Sequence, residues 1–312
     1  MRLRRFVTAC TVAAAVLGLL TSHAPAESGP AVDDRLRAMV EDDWAAQETR
    51  LGRTAGSPES VQEALKRADL LLTDLRAMAG APDLQSDAAA LKRLREKAAD
   101  AESLGEPDRL KLYREVRWLV RNVALKNPLL AGKPVIFMKR RRFACQMLHE
   151  YVAYFAELSG VYGGSVYLLE QPGRSLATRN LINGRLPPGC ISTLALSYDG
   201  RTLYFAQGEC KGKRPVWGAY DQPRYDIFAL NLDDDDLMQL TEARTDDFDP
   251  CPLPDGGIAF ISSRRGGFTR CNNPWEPIPV YTLHRMDADG ENVRTLSFHE
   301  TNEWHPNVLH DG

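Results

Sequence analysis

From Ala31 to about Lys126 the apolar residues recur at helical intervals. Leu36, Met39, Val40 and Trp44 fall on one helix face, and Val61, Leu65, Ala68 and Leu72 do the same. Glycines and prolines at 52–58, 80–82 and 105–107 cut the region into about four helices. Ser57 stands where an N-cap hydroxyl is needed, Pro58 takes the first helical position, and Glu59 meets the positive end of the helix dipole. No chemical motif occurs here, and Trp44 and Trp118 read as packing residues. The pattern predicts a small antiparallel helical bundle or hairpin pair over 27–127, serving as spacer or interaction module. Pro128 and Pro134 in "KNPLLAGKP" end it.

At Val135 the period changes to that of β-structure, and the pattern repeats. "LSYDGRTLYFA", "PLPDGGIAFIS" and the closing "NVLHDG" place Gly200, Gly256 and Gly312 at intervals of 56 residues. Two further segments, from Tyr225 and Tyr281, keep that offset. Each unit reads strand, DG turn, strand, long loop, strand, acidic turn, strand. "PVIFMKRRRF" and "GSVYLLEQ" form an earlier, looser copy. A four-stranded repeat of this size is the mark of a β-propeller blade. The fold expected is therefore α + β in two domains: the helical bundle, then an incomplete β-propeller over 128–312, with about three four-stranded antiparallel blades. Asp311-Gly312 would be a hairpin turn with no second strand, which reads as a fragment of a longer protein. A short protein that closes its ring by oligomerisation is the alternative.

The first 26 residues differ from the rest in composition. "MRLRR" is a basic start, "FVTACTVAAAVLGLL" is apolar, and Ala24-Pro25-Ala26 fits a cleavage site. Residues 1–26 read as a signal peptide, giving an exported, periplasmic protein that begins near Glu27 and has no membrane span after cleavage. A retained anchor is the other reading. Export permits disulfides among Cys145, Cys190, Cys210, Cys251 and Cys271. Cys190 and Cys210 each lie ten residues from Gly200, so a symmetric hairpin would oppose and bridge them. Cys251 with Cys271 is a second candidate. A net charge of −3 gives no electrostatic reason to expect nucleic acid as a partner.

"SYDGRTLYFA" and "LPDGGIAFISSRRGG…VYTLHRMDADGENVRTLS" resemble TolB-type propeller repeats. "NPLLAGKPVIFMKRRRFACQMLHEY", "DDFDPCPLPDGGIAFISSRRGG" and "FHETNEWHP" resemble exported proteins that carry the middle domain of the hydrazine synthase alpha subunit. The resemblance covers roughly 118–312 and implies a propeller in a longer chain, often beside c-type haem domains. Haem attachment needs Cys-x-x-Cys-His, and in "CQMLH" (Cys145 to His149) Leu148 replaces the second cysteine. No cofactor is expected within this chain, and haem c would belong to downstream sequence. No Gly-x-Ser-x-Gly, Walker loop or paired-carboxylate motif points to catalysis either.

Antiparallel blades send alternate connections to opposite faces. The DG turns and the acidic turns at 233–236 and 287–290 share one face, and the long loops share the other. Function is expected on the long-loop face, with Trp217, Trp275, Arg264 and Arg265 meeting a protein partner or the remaining blades of the full-length chain. His299, Glu303, His305 and His310 with Asp246, Asp247 and Asp249 are candidate metal ligands at the channel mouth, as is His149 in the first unit. Loop packing by hydrogen bonds is their alternative role. "KRRR" at 139–142 and the acidic run Asp233–Asp236 read as solvated surface. The expected function is an exported scaffold or binding module. The alternatives are the non-haem portion of a multidomain c-type cytochrome redox enzyme, and a small-ligand or metal binder at the channel mouth.

Overall fold

Among the described residues four helices come first: α1 (Asp34–Arg50), α2 (Pro58–Ala77), α3 (Gln85–Ala99) and α4 (Glu106–Ala124). The computed structural model describes residues 32–139, 164–209, 225–270 and 279–311. The expected caps are present. Ser57 Oγ accepts the Ser60 N–H at 3.2 Å with Pro58 opening α2, and Asp33 accepts the N–H groups of Arg35 and Leu36 at α1. The Ser57→Ala variant is expected to lose about 1 kcal/mol, the usual worth of such a cap. A lower urea midpoint at unchanged slope would show it.

Val61, Leu65, Ala68 and Leu72 are all buried, as their spacing requires. Met39 departs from expectation and is 51% exposed. The buried stripe of α1 climbs by fours through Leu36, Val40, Trp44 and Glu48, and Met39 lies beside it. Trp44 and Trp118 meet edge to face at 5.2 Å, as packing residues. Glu48 is buried and is tied to Arg53 at 2.7 Å and the Tyr113 hydroxyl at 3.2 Å. Among the described residues no helix is long and apolar enough to cross a membrane.

Among the described residues eleven strands follow, in three antiparallel sheets whose neighbours are consecutive in sequence. The first sheet holds β1 (Val135–Lys139), β2 (Ser165–Leu169) and β3 (Thr178–Asn180). The second holds β4 (Gly189–Leu196), β5 (Thr202–Glu209), β6 (Tyr225–Asn231) and β7 (Leu237–Gln239). The third holds β8 (Asp247–Pro252), β9 (Ile258–Ser262), β10 (Thr282–Met286) and β11 (Arg294–Thr295). The fold is α + β. The second and third sheets are four-stranded, as the repeat predicts. Among the described residues the first has three strands and no counterpart of β4 and β8. The described residues form no closed ring. Residues 302–309, expected to open another hairpin, carry no strand. Pro306 has no N–H to donate there, and side-chain bonds hold the segment instead.

The near-continuous apolar runs in β5 and β6 have a simple cause. Leu203, Phe205, Phe228 and Leu230 point into the cluster shared with the first sheet. Their alternating neighbours Tyr204, Ala206, Ile227 and Ala229 enter the cluster shared with the third, beside Phe248 and Phe260. Both faces of the second sheet are therefore buried, which favours unbroken hydrophobic stretches. The helices join the first sheet through its β2–β3 loop. Arg121 donates to Gly173 O at 2.6 Å, and Arg174 O accepts the Asp33 N–H at 3.2 Å.

Candidate functional site

The 56-residue repeat is visible in hydrogen bonds as well as in strands. Tyr225 N–H donates to Asp246 Oδ1 at 3.2 Å, and its equivalent Tyr281 N–H donates to Asn302 Oδ1 at 3.0 Å. Ile227 N–H reaches Thr241 Oγ1 and Leu283 N–H reaches Ser297 Oγ, both at 2.9 Å. Trp304 occupies the repeat position of Phe248 and stacks on it, with ring centroids 6.0 Å apart. Residues 297–305 thus rebuild the joint that Thr241–Asp249 make one repeat earlier.

Just past each joint the chain makes one irregular step. Thr193, Asp249 and His305 are repeat equivalents, and all three have positive φ, at 31°, 53° and 50°. Bulges interrupt the β4–β5 ladder between Ser192 and Leu194 and the β8–β9 ladder between Phe248 and Cys251. Non-glycine residues seldom adopt this backbone, and bulges serve to re-aim a side chain. A cavity of about 480 Å³ lies against the three steps, lined by segments from 193–198, 249–252 and 305–308.

Asp249 is 2% exposed. Its Oδ2 accepts the His305 N–H at 2.9 Å and lies 3.4 Å from His305 Nδ1. The Thr193 hydroxyl sits beside the carboxyl, and Thr193 Oγ1 and Asp249 Oδ1 are both sealed from solvent. Burial pushes the Asp249 pKa up, against the pull of the His305 N–H, the His305 ring and Thr193. Thr193 was not singled out from sequence. Its signal was its place, seven residues before a DG glycine, as for Asp249 and His305.

The structure divides the other candidate ligands among separate partners. Asp247, fully buried, takes a two-point ion pair from Arg264 at 3.0 and 2.6 Å and a bond from Ser262 at 2.6 Å. Asp246 caps the joint. Glu303 Oε2 accepts the Leu283 N–H at 2.7 Å and the Ser297 hydroxyl, while Oε1 lies 3.1 Å from His299. His310 is exposed. Among the described residues no three His, Cys, Asp or Glu side chains gather to hold a metal. His149, Trp217 and Trp275 lie outside the described residues.

Arg264 has a partner within the protein: its guanidinium is paired with Asp247, and its side chain is 28% exposed. Arg265, half-buried, remains on that face with Phe268 and Phe298, which are 61% and 74% exposed. On the opposite face the acidic run is neutralised locally: Arg201 pairs with Asp233 at 2.7 Å and Arg179 with Asp235 at 3.3 Å. The hairpin argument for a Cys190–Cys210 bridge also changes. The bulge and the turn shift the ladder, so Cys190 faces Gly208. Cys210 and Cys271 lie outside the described residues.

Asp226, at the start of β6, has its carboxyl pushed up to about 7. Burial is the main cause and the Asp247 charge the next; the Ala243 N–H and Arg264 pull the other way. The folded protein therefore holds this proton between the ordinary 3.8 and about 7. The stability it contributes is full below the lower value and is lost as pH rises through the upper one. Asp226→Asn is expected to raise the urea midpoint at pH 8 and leave it unchanged at pH 4. An equal shift at both would assign the effect to packing.

No protein-family model matches the chain, and no curated protein does either. Among solved structures it aligns with a TolB-like protein of Agrobacterium tumefaciens at 21% identity and a TM-score of 0.29. The alignment covers 42% of this chain and 40% of that one, so the chain spans well under half the length of that protein.

Proposed function

We propose that the protein is an exported binding scaffold of the β-propeller type, which meets a protein partner on the face where the long loops leave. The observation that carries this reading is the repeated joint. Two four-stranded meanders follow each other at a fixed interval, and equivalent side chains cap equivalent strand ends. Stacked meanders of this kind are how propellers build a rigid disc with loops on its rims. The partner face is supported by Phe268 and Phe298, large apolar side chains on the loop side.

Photo-crosslinking in the native host tests it. A benzoyl-phenylalanine placed at Phe268 or Phe298 is expected to capture a protein partner, and the same group at Asp234 is not. Crosslinks from Asp234 alone would put the partner on the wrong face. Cleavage before Glu27, read by intact mass of the exported protein, is the companion expectation.

The resemblance to the hydrazine synthase alpha-subunit middle domain supports a second reading, in which this chain is the non-haem part of a redox enzyme. A Cys-x-x-Cys-His motif elsewhere in the complete open reading frame would favour it, and its absence would favour the scaffold.

A further inference from the structure

We propose that the cleft between the first and second sheets binds an alkyl carboxylate, with its chain held between the two sheets and its head at Lys133. The cleft opens beside the DG turn at Gly200, so it belongs to the short-turn face rather than to the long loops.

Two rows of side chains meet there. Residues directly opposite on neighbouring strands share a sheet face. In the first sheet Ile136 stands opposite Leu168, and Leu168 opposite Arg179. In the second sheet Leu196 stands opposite Leu203. Further along the same faces Val166 and Phe205 have no exposed surface, so the shared cluster is closed at that depth. Nearer the turn the sheets leave a cavity of about 580 Å³, and Leu196 is 50% exposed. Pro134 and Leu181 complete the wall on the first-sheet side, and Leu194 and Leu232 complete it on the second. The volume is that of a small-molecule site, roughly 300–1,000 Å³.

The bulge in β4 supplies two of these leucines. Ile191 packs in the cluster shared with the first sheet, and strict alternation would send residues 193 and 195 the same way. The irregular step between Ser192 and Leu194 reverses that order. Leu194 joins the first-sheet cluster, Ala195 packs on the other side, and Leu196 follows Leu194 into the cleft. Without the bulge Thr193 and Ala195 would stand where two leucines now do.

Charge narrows the ligand. Among the described residues Lys133 and Arg179 are the only charged side chains in the lining, and no hydroxyl, amide or carboxylate side chain accompanies them. Arg179 is already answered by Asp235 at 3.3 Å and Glu170 at 3.8 Å. Lys133 is exposed, and its ammonium has no ion pair or hydrogen bond among the described residues. The mouth therefore carries one uncompensated positive charge beside leucine walls. A sugar or a nucleobase would find no polar side chain to read its edges, and a cation would be repelled. A single alkyl chain ending in a carboxylate matches both parts of the site, burying its body and keeping its head at the wet rim.

Calorimetric titration of the full chain with sodium octanoate tests the proposal. Saturable one-to-one binding is expected. Hexanoate, two methylenes shorter, should bind about tenfold more weakly. n-Octylammonium, with the same chain and the opposite charge, should bind about fivefold or more weakly. Lys133→Glu should reverse that preference. Leu196→Glu, which sets a charge in the path of the chain, should remove octanoate binding, and both variants should keep their circular dichroism. Absence of saturable binding, equal affinity for hexanoate, equal affinity for n-octylammonium, or undiminished octanoate affinity in either variant would each overturn it. Should Leu196→Glu fail to fold, Lys133→Glu decides, since that side chain is exposed and holds nothing in the fold.

Discussion

Gly290→Ala is expected to destabilise the protein by about 4 kcal/mol, the sum of backbone strain and overpacking. Gly290 lies in the β10–β11 turn at φ +87°, a conformation that side chains rarely adopt. An added Cβ would also run into the Leu240 carbonyl oxygen and lie 3.0 Å from its carbonyl carbon. Leu240 cannot easily retreat, because its own N–H is bonded to Ile227 O at 2.8 Å in the link between the second and third sheets. Gly256 provides the control. It has nearly the same φ, +86°, with open space where a Cβ would go. Gly256→Ala should therefore cost only the strain, about 1–2 kcal/mol. Urea titrations of the two variants measure the difference, and equal losses would remove the close approach as an explanation.

Arg264→Ala is expected to cost about 3–5 kcal/mol, and Asp247→Asn clearly less. The asymmetry comes from burial. Asp247 has no exposed surface, whereas the Arg264 side chain is 28% exposed. Removing arginine leaves a carboxylate sealed in the protein with only Ser262 as a donor. Removing the acid leaves a guanidinium that can turn outward to water. Both variants keep the Ser262 bond to the Arg264 N–H, so the loop itself is equally tethered in each. If Asp247→Asn proves the more damaging change, the pair is not the buried lock that the geometry describes.

Much of this architecture was legible in the sequence because it depends on local patterning. The helix limits follow from Ser57, Pro58 and the glycine–proline breaks, which act within one turn of the residues concerned. The strand repeat follows from an interval that survives whatever the loops contain. The register was not legible. The placement of the turn and one bulged residue in β4 each shift the ladder by one, so Cys190 faces Gly208 rather than Cys210, and nothing in "CISTLALSYDG" marks the bulge. The Arg264 ion pair was not legible for another reason. A partner-facing arginine and an arginine bonded to a buried acid have the same sequence, and only the position of Asp247 tells them apart. The candidate metal ligands dispersed because each found a nearer partner: Asp246 a backbone N–H, Asp247 an arginine, Glu303 a serine and a histidine.

The recurring positive-φ step separates shape from chemistry in a way a regular strand does not. A serial position held by backbone geometry accepts threonine, aspartate or histidine without a change in the path of the chain. The second and third sheets each set one such position against a common cavity, and the strandless segment 302–309 sets the third. Single substitutions at these three positions would change the lining of that cavity and leave every joint between sheets untouched.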